Sequence, residues 1–234
     1  MSEVLCFSGG VDSFVAWYKL GMPRCIHFTG HSRYSYKELQ AVRELKEITN
    51  MDLGIVDVSW MWASEYGDAD AWIPGRNLTF AIIASYFGDK IYIPCQRGER
   101  DLEDRSEKFF NEVSELLSKH WRKPVVVDYV WKDETKIDLV AWYLNSNRNI
   151  EFLKKTVSCF SPMPGRCGVC KACFRLAVAL EANGVSADKE WFHVDPFKTG
   201  NAHIYAEAIL AGRYEERRAK QMLEVLMKKG LVLV

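Results

Sequence analysis

Residues 8–13 read Ser8-Gly9-Gly10-Val11-Asp12-Ser13 and lie between two patterns of different period. The run before them, Val4-Leu5-Cys6-Phe7, is apolar and predicts a strand, whereas residues 14–20 have helical spacing. Two adjacent glycines let the backbone turn sharply and point successive N–H groups into one concavity. The helix that follows adds unpaired N–H groups and the positive end of its dipole. The stretch therefore predicts a cradle for a phosphate or pyrophosphate.

The side chains of this stretch refine that prediction. Ser8 and Ser13 can donate hydroxyl hydrogen bonds into the cradle. Asp12 would repel a bare phosphate, so its presence indicates Mg²⁺ between the carboxylate and a nucleotide. The alternatives are that Asp12 is only a helix N-cap and that the glycines form an ordinary turn. The spacing matches neither the Walker A loop nor the GxGxxG motif of dinucleotide-binding proteins.

Composition and charge limit the class of protein. The chain has 234 residues, of which 48% are hydrophobic and 26% charged, as in soluble globular proteins. Its formal net charge is zero, whereas proteins held to nucleic acid by bulk electrostatics are usually basic. No apolar run reaches membrane-spanning length, and the first residues lack a signal-peptide pattern. We therefore expect a cytoplasmic protein with no membrane partner and no direct nucleic-acid partner.

Strand and helix patterns alternate along the first two thirds of the chain. This alternation predicts a doubly wound α/β fold with a five-stranded, mostly parallel sheet. In such sheets ligands bind outside the carboxyl ends of the strands, where the Ser8–Ser13 stretch and the loop at 96–105 would both lie. The predicted strands are residues 4–7, 24–28, 53–59, 90–95 and 125–130.

Changes in pattern also suggest where the chain divides. We expect an ATP-binding α/β domain at residues 1–150, a metal-binding segment at 151–184 packed on it, and a helical C-terminal appendage at 185–234. Capping patterns at Ser35 with Glu38, at Asp104 with Glu107, and at Thr135 predict where three of the helices begin.

Four of the seven cysteines, Cys159, Cys167, Cys170 and Cys173, lie within 15 residues of one another. Two-residue gaps let consecutive thiolates converge on one ion, and four thiolates complete a closed tetrahedral Zn²⁺ site. The sequence therefore predicts one structural zinc ion per chain. The alternatives are an iron–sulfur cluster and buried thiols without a metal.

The glycine stretch resembles the pyrophosphate loop of the N-type ATP pyrophosphatases, or PP-loop enzymes. That superfamily splits ATP between its α- and β-phosphates and adenylates a substrate oxygen. The resemblance implies a PP-loop/HUP-like fold and a nucleotide-binding loop. The residues that it assigns to ATP are Phe7, Ser8, Gly9, Gly10, Val11, Asp12 and Ser13.

Further motifs narrow the resemblance. They are Phe28-Thr29-Gly30-His31, Pro74-Gly75-Arg76-Asn77, Thr135-Lys136 and Thr156-Val157-Ser158-Cys159, which leads into the cysteine cluster. Together with the PP-loop, they make residues 3–180 similar to the 7-cyano-7-deazaguanine synthases, the nitrile-forming ligases of queuosine biosynthesis.

This second resemblance implies a reaction and its partners. The family uses ATP and ammonia to convert 7-carboxy-7-deazaguanine to the nitrile through adenylated intermediates, and it suggests a homodimer. The resemblance makes Asp12, with Mg²⁺, and the cations Arg76 and Lys136 the candidate catalytic residues. Arg76 and Lys136 would pair with phosphate or the substrate carboxylate, and the alternative for each is a surface salt bridge. Asn77 is a candidate helix cap or base-binding residue.

Two other functions compete with this prediction. One is another PP-loop adenylating enzyme, either an amide-forming ligase or a tRNA-modifying enzyme. The zero net charge and the clustered cysteines weigh against a tRNA-modifying enzyme. The other is a non-enzymatic binding protein with a degenerate PP-loop, and the intact loop sequence weighs against that.

Overall fold

The computed structural model describes residues 1–64, 73–99 and 103–232. Within them, five short strands form one sheet, as the alternation of patterns predicts. The strands are β1 (Glu3–Cys6), β2 (Arg24–Thr29), β3 (Leu53–Asp57), β4 (Lys90–Tyr92) and β5 (Val126–Asp128).

Nine α-helices accompany the sheet in the described part of the chain. They are α1 (Val11–Lys19), α2 (Ser35–Thr49), α3 (Arg76–Ala84), α4 (Glu107–Trp121), α5 (Lys136–Asn145), α6 (Ile150–Lys155), α7 (Lys171–Ala182), α8 (Asn201–Leu210) and α9 (Glu216–Lys228). Short 3₁₀ helices lie at Ser59–Ser64, Glu103–Arg105 and Pro196–Lys198. No helix of the described residues is long and apolar enough to span a membrane.

Helices cover both faces of the sheet, and this explains the unbroken apolar run of β1. Leu5 belongs to a hydrophobic cluster with α1, α5 and α7, whereas Val4 and Cys6 belong to a second cluster with α3 and α4. Alternate side chains of a strand point to opposite faces, so a strand buried on both sides needs apolar residues throughout. The prediction of a doubly wound α/β fold is confirmed.

The strand order, β3-β2-β1-β4-β5, places the glycine stretch at the centre of the sheet. Every neighbouring pair of strands is parallel, and Leu5 of β1 lies beside Cys25 on one side and Tyr92 on the other. The direction of strand addition reverses between β1 and β4. A crevice opens at such a reversal, outside the carboxyl ends of the strands, so the loops after β1 and β4 flank the expected ligand site.

The C-terminal helices share the core of the α/β unit. Phe174 of α7 stacks on Tyr205 of α8, with ring centroids 5.2 Å apart, and Met222 and Leu226 of α9 are buried in the same cluster as α1 and α5. The predicted division of the chain at residues 150 and 184 stays a prediction. Within this shared core, α9 packs against α7 and α8.

Two of the three predicted caps are wrong. α2 begins at Ser35 itself, whose hydroxyl contacts Ser32 Oγ at 2.7 Å and does not cap the helix. Ser106, not Asp104, caps α4 by accepting a hydrogen bond from a backbone N–H, because Asp104 lies within the preceding 3₁₀ helix. Thr135 caps α5 as predicted, through a reciprocal capping box with Asp138.

Candidate active site and metal centre

The loop after β1 has the tight turn that its glycines predict. Gly9 has φ +77°, and a Cβ there would lie 2.6 Å from a methyl group of Val42. Gly10 is the N-cap of α1 and has no side-chain cap, so the first N–H groups of the helix have no intrahelical acceptor. These groups give the concave loop the anion-binding character expected from its sequence.

Two hydroxyl groups hold the loop in this shape. Ser13 Oγ donates to Gly10 O at 3.0 Å and accepts from Ser8 N at 3.2 Å. Ser8 Oγ lies 3.1 Å from Ser13 Oγ and accepts from Gly10 N at 3.3 Å. Ser13 is buried, whereas Ser8 is exposed and has its hydroxyl at the open side of the loop. Ser13 therefore fixes the turn, and Ser8 is available to a ligand.

Asp12 contacts residues from the chain segments that follow β4 and β5. Its Oδ1 lies 2.6 Å from Lys136 Nζ, and its Oδ2 accepts from Gln96 Nε2 at 2.6 Å. Trp131 Nε1 donates to the backbone oxygen of Asp12 at 3.2 Å. Gln96 follows β4, whereas Trp131 and Lys136 follow β5. Two of the three predicted catalytic residues, Asp12 and Lys136, are therefore in direct contact. Asp12 is not the helix cap.

Gln96 is a site residue that the sequence did not single out. It is only 2% exposed, and its Oε1 is buried without a hydrogen-bond partner among the described residues. Its backbone N–H donates to Glu99 Oε2, which also lies 3.2 Å from Arg105. The only signal in the sequence was its place in the loop after the fourth strand, where glutamine has no distinctive pattern.

Arg76 forms neither a hydrogen bond nor an ion pair with Asp12 among the described residues. It is the first residue of α3, and Arg105, Asp104 and Glu99 are its charged neighbours. Burial, with the positive charge of Arg105, holds the pKa of Arg76 below its ordinary value despite the acidic groups. Asn77 is buried and donates to Asp104 O at 3.0 Å, while Gly75 is the N-cap of α3. Asn77 is therefore not the cap.

Glu38, in the first turn of α2, is a second residue whose pKa is shifted. Burial raises its pKa to about 8, although the charges of Lys37 and Arg76 act in the opposite direction. Burial disfavours the ionised form of a carboxyl group. Glu38 is thus a neutral acid at pH 7, at the edge of the crevice that Arg76 occupies.

The four clustered cysteines converge as their spacing predicts. The four Sγ atoms all lie within 4.8 Å of one another, and those of Cys167 and Cys173 are 4.0 Å apart. They belong to Cys159, Cys167, Cys170 and Cys173. Tetrahedral Zn²⁺ with bonds of about 2.3 Å needs sulfurs about 3.8 Å apart. The cluster can therefore bind a metal ion, and four thiolates fit zinc or iron.

A buried arginine supports this cluster. Arg166 is 6% exposed, and its guanidinium donates to Leu153 O, to Thr156 O and to the Thr156 hydroxyl at 2.5–3.0 Å. Burial lowers the pKa of Arg166 to about 10, although the nearby thiols of Cys173 and Cys159 raise it. A fixed cation beside the cluster favours the thiolate forms that bind metal.

The cysteine segment also forms one wall of the PP-loop. Val157 N donates to Gly9 O at 2.9 Å, and a Cβ on Gly10 would overlap Ser158 Oγ. On the other side, Lys37 Nζ donates to Met163 O and to another carbonyl oxygen of the same segment, both at 3.1 Å. The metal centre is therefore positioned to hold the loop in place, and its closed ligand set leaves it no position for substrate.

Comparison with known proteins identifies similar sequences. A family model described as "Queuosine biosynthesis protein QueC" matches residues 63–184, just over half of the chain. A protein of Methanothermobacter thermautotrophicus named 7-cyano-7-deazaguanine synthase is 26% identical, over 82% of this chain and 99% of its own length. One of the same name from Methanobrevibacter smithii is 23% identical, over 68% of this chain and 70% of its own. Among solved structures, the NMN synthetase of Francisella tularensis matches all of this chain and 87% of its own, with TM-score 0.44 and 11% identity.

Proposed function

The chain belongs to the queuosine biosynthesis protein QueC family, and on that basis we propose that it is a carbon–nitrogen ligase, a 7-cyano-7-deazaguanine synthase. Its substrates would be ATP, ammonia and 7-carboxy-7-deazaguanine. The observation that carries the proposal is the meeting of Asp12, Lys136 and Gln96 beside a PP-loop at the centre of the sheet. In a binding protein with a degenerate loop, nothing would require this arrangement.

The proposed reaction has two adenylation steps. First, a carboxylate oxygen of the substrate attacks the α-phosphorus of ATP, and pyrophosphate leaves. Ammonia then displaces AMP with loss of a proton, which gives the amide. In the second step the amide oxygen attacks another ATP in the same way, and elimination of AMP with loss of a proton gives the nitrile.

The protein contributes positioning and charge stabilisation to both steps. The N–H groups at the start of α1, with the Ser8 hydroxyl, would bind the phosphates that leave as pyrophosphate. Lys136 would neutralise part of their charge while Asp12 orients its ammonium group. Arg76 is our candidate for the substrate carboxylate, which a guanidinium can bind with two hydrogen bonds.

Asp12 has capacity for the proposed Mg²⁺. A carboxylate offers about four lone-pair sites, and two of those on Asp12 already accept hydrogen bonds. Magnesium is commonly bound by one or two carboxylates together with phosphate oxygens. When bound there, it would withdraw charge from the phosphates of ATP.

Zinc is our proposal for the ion in the cysteine cluster, with a structural role. Four thiolates would close its coordination shell, so no step of the reaction uses it. The chain's own residues then link the metal centre to the site: Val157 and Ser158 pack directly against Gly9 and Gly10.

The test is incubation of the purified protein with ATP, Mg²⁺, ammonium and 7-carboxy-7-deazaguanine, followed by mass spectrometry. We expect the nitrile, with two AMP and two pyrophosphate per product. Accumulation of the amide would indicate an amide synthetase. An untouched acid with another adenylated acceptor, such as tRNA, would leave only the PP-loop assignment.

Two variants address the loop itself. Asp12→Asn and Ser13→Ala should abolish turnover with only a modest fall in melting temperature, because each removes hydrogen bonds that hold the loop. Asp52→Asn, at a largely exposed carboxylate outside the crevice, is the matched control. Full activity of both loop variants would refute the role assigned to residues 8–13.

A further inference from the structure

The C-terminal helix α9 forms one wall of a pocket beside the PP-loop. The pocket lies between α5, α7 and α9 and is open to solvent. Tyr214, Arg218 and Gln221 line it from the C-terminal region, opposite Lys136 and Arg175. Lys136, which lines the pocket, is also the partner of Asp12, so the pocket adjoins the proposed nucleotide site.

The lining of this pocket is strongly basic. Lys136, Arg175 and Arg218 each come from a different helix, and none of the described lining residues is acidic. Asp12 balances the charge of Lys136. Arg175 and Arg218 have no carboxylate within ion-pair distance in the described part of the chain, so neither guanidinium group is held in a direct ion pair.

Arg175 is the more deeply placed of the two guanidinium groups. Its Nε is buried without a hydrogen-bond partner among the described residues, and the side chain lies within electrostatic range of Glu99 and Asp12. A buried N–H group without a partner costs free energy unless a ligand accepts from it. Since Nε itself is buried, an anion in the pocket would interact with the charge of the Arg175 guanidinium group.

Two contacts hold the Arg218 side chain in place. Its guanidinium lies 4.9 Å from the centre of the Tyr214 ring, and it packs so closely on Gly98 that a Cβ there would lie 2.6 Å from its Nη1. The neighbouring ion pair between Arg97 and Glu215, at 2.8 Å, ties α9 to the same loop after β4. Arg218 is thus positioned before any ligand binds, which lowers the entropy cost of binding.

We propose that α9 completes the phosphate site of this protein, and that Arg218 and Arg175 bind the β- and γ-phosphates that leave as pyrophosphate. Two free guanidinium groups next to Lys136 suit a multiply charged anion better than a single carboxylate, and arginine binds phosphate oxygens bidentately. The inference rests on the proposed function, because it takes ATP cleavage as the source of the pyrophosphate. It adds to that function a binding role for the C-terminal helix.

Calorimetric titration with inorganic pyrophosphate and with AMP, each in the presence of Mg²⁺, tests this inference. Arg218→Met should weaken pyrophosphate binding about 10- to 100-fold, the loss expected for a hydrogen-bonded charge pair. AMP binding should change less than about threefold, since AMP lacks the leaving phosphates. Lys220→Met removes an exposed charge from the same helix outside the pocket and should leave both affinities unchanged.

Arg218→Lys keeps the charge and the long stem, so it tests the same point if the methionine variant does not fold. It should weaken pyrophosphate binding several-fold, because lysine does not bind phosphate bidentately. Unchanged pyrophosphate affinity in a folded Arg218 variant would overturn the inference, and so would an equal loss for pyrophosphate and AMP. A loss confined to 7-carboxy-7-deazaguanine would also overturn it, by assigning the pocket to the substrate carboxylate.

The same titrations separate this inference from the proposed function. Wild-type protein that forms the nitrile, together with Arg218 variants of normal pyrophosphate affinity, would refute the role of α9 alone. Wild-type protein that neither binds pyrophosphate nor cleaves ATP would refute both.

Discussion

Lys136 Nζ lies 2.6 Å from Asp12 Oδ1, although the two residues are 124 positions apart in the chain. Lys136 is the first residue of α5 and Asp12 is in the first turn of α1, so the ion pair joins the starts of two helices that pack on the same face of the sheet. The side chains are 14% and 26% exposed. A pair with this little solvent exposure is screened less than a surface ion pair, and loss of one partner leaves the other poorly compensated.

We expect Lys136→Met to lower the rate of pyrophosphate release about 10²- to 10³-fold, the range found when a charge-stabilising donor is removed from an active site. Methionine keeps the apolar stem, so the variant should fold with only a modest fall in melting temperature. Lys132→Met, at an exposed residue of the preceding loop, is the control for loss of charge. Wild-type rates in the Lys136 variant would show that the ion pair is only structural.

The contact between Gly10 and Ser158 predicts a mutant and its rescue. Gly10 has φ −80°, which alanine adopts without strain, but an added Cβ would overlap Ser158 Oγ. Gly10→Ala should therefore lower the free energy of unfolding by roughly 1–3 kcal/mol, as at other overpacked sites. It should also lower turnover. The double variant Gly10→Ala/Ser158→Ala removes the overlapping oxygen.

Urea denaturation of the single and double variants measures this coupling. Rescue should show as a favourable interaction free energy between the two substitutions. Strictly additive effects would mean that the cysteine segment does not press on the PP-loop.

The sequence was sufficient for the sheet, the PP-loop and the metal cluster because each depends on local spacing. The turn at Gly9 and the convergence of the cysteines both follow from short motifs. The helix caps at Ser35 and Asp104 were wrong because several polar residues close together compete for the N-cap, and packing selects among them.

The residues that the sequence missed have no such local signal. Gln96 matters because the fold brings its amide to Asp12, 84 positions away. Arg218 matters because α9 packs beside α7 and its guanidinium reaches Gly98. Periodicity predicted the helices of the C-terminal region, but the placement of α9 against the crevice depends on tertiary contacts with the core.

Replacement of one clustered cysteine should remove the metal. We expect Cys170→Ser to reduce the metal content from one ion per chain to nearly none, because one weak hydroxyl ligand replaces a thiolate. The free energy that the ion contributes to folding would be lost with it. Cys95→Ala removes a buried thiol outside the cluster and should leave the metal content unchanged.

Elemental analysis checks both variants and also identifies the ion. Zinc is the expected result, whereas iron with absorbance in the visible range would indicate a cluster. Full metal content in the Cys170 variant would mean that the cysteines do not bind the ion as a set.

Glu38 predicts how the stability of the protein depends on pH. Its pKa is about 8 in the folded protein, against an ordinary value of 4.5. Below pH 4.5 the group is protonated in both the folded and the unfolded state and has no effect. Between pH 4.5 and 8 the unfolded chain loses this proton while the folded protein keeps it, so the folded protein binds more protons and its stability falls as pH rises.

Glu38→Gln stays neutral throughout and should remove this part of the pH dependence. Urea denaturation at pH 5 and pH 8 should show the variant gaining on the order of 3 kcal/mol of unfolding free energy, relative to the wild type, between the two pH values. Glu47→Gln, at an exposed position of the same helix, should show no such gain. Parallel pH curves for Glu38→Gln and the wild type would mean that Glu38 is already ionised at pH 7 in the folded protein.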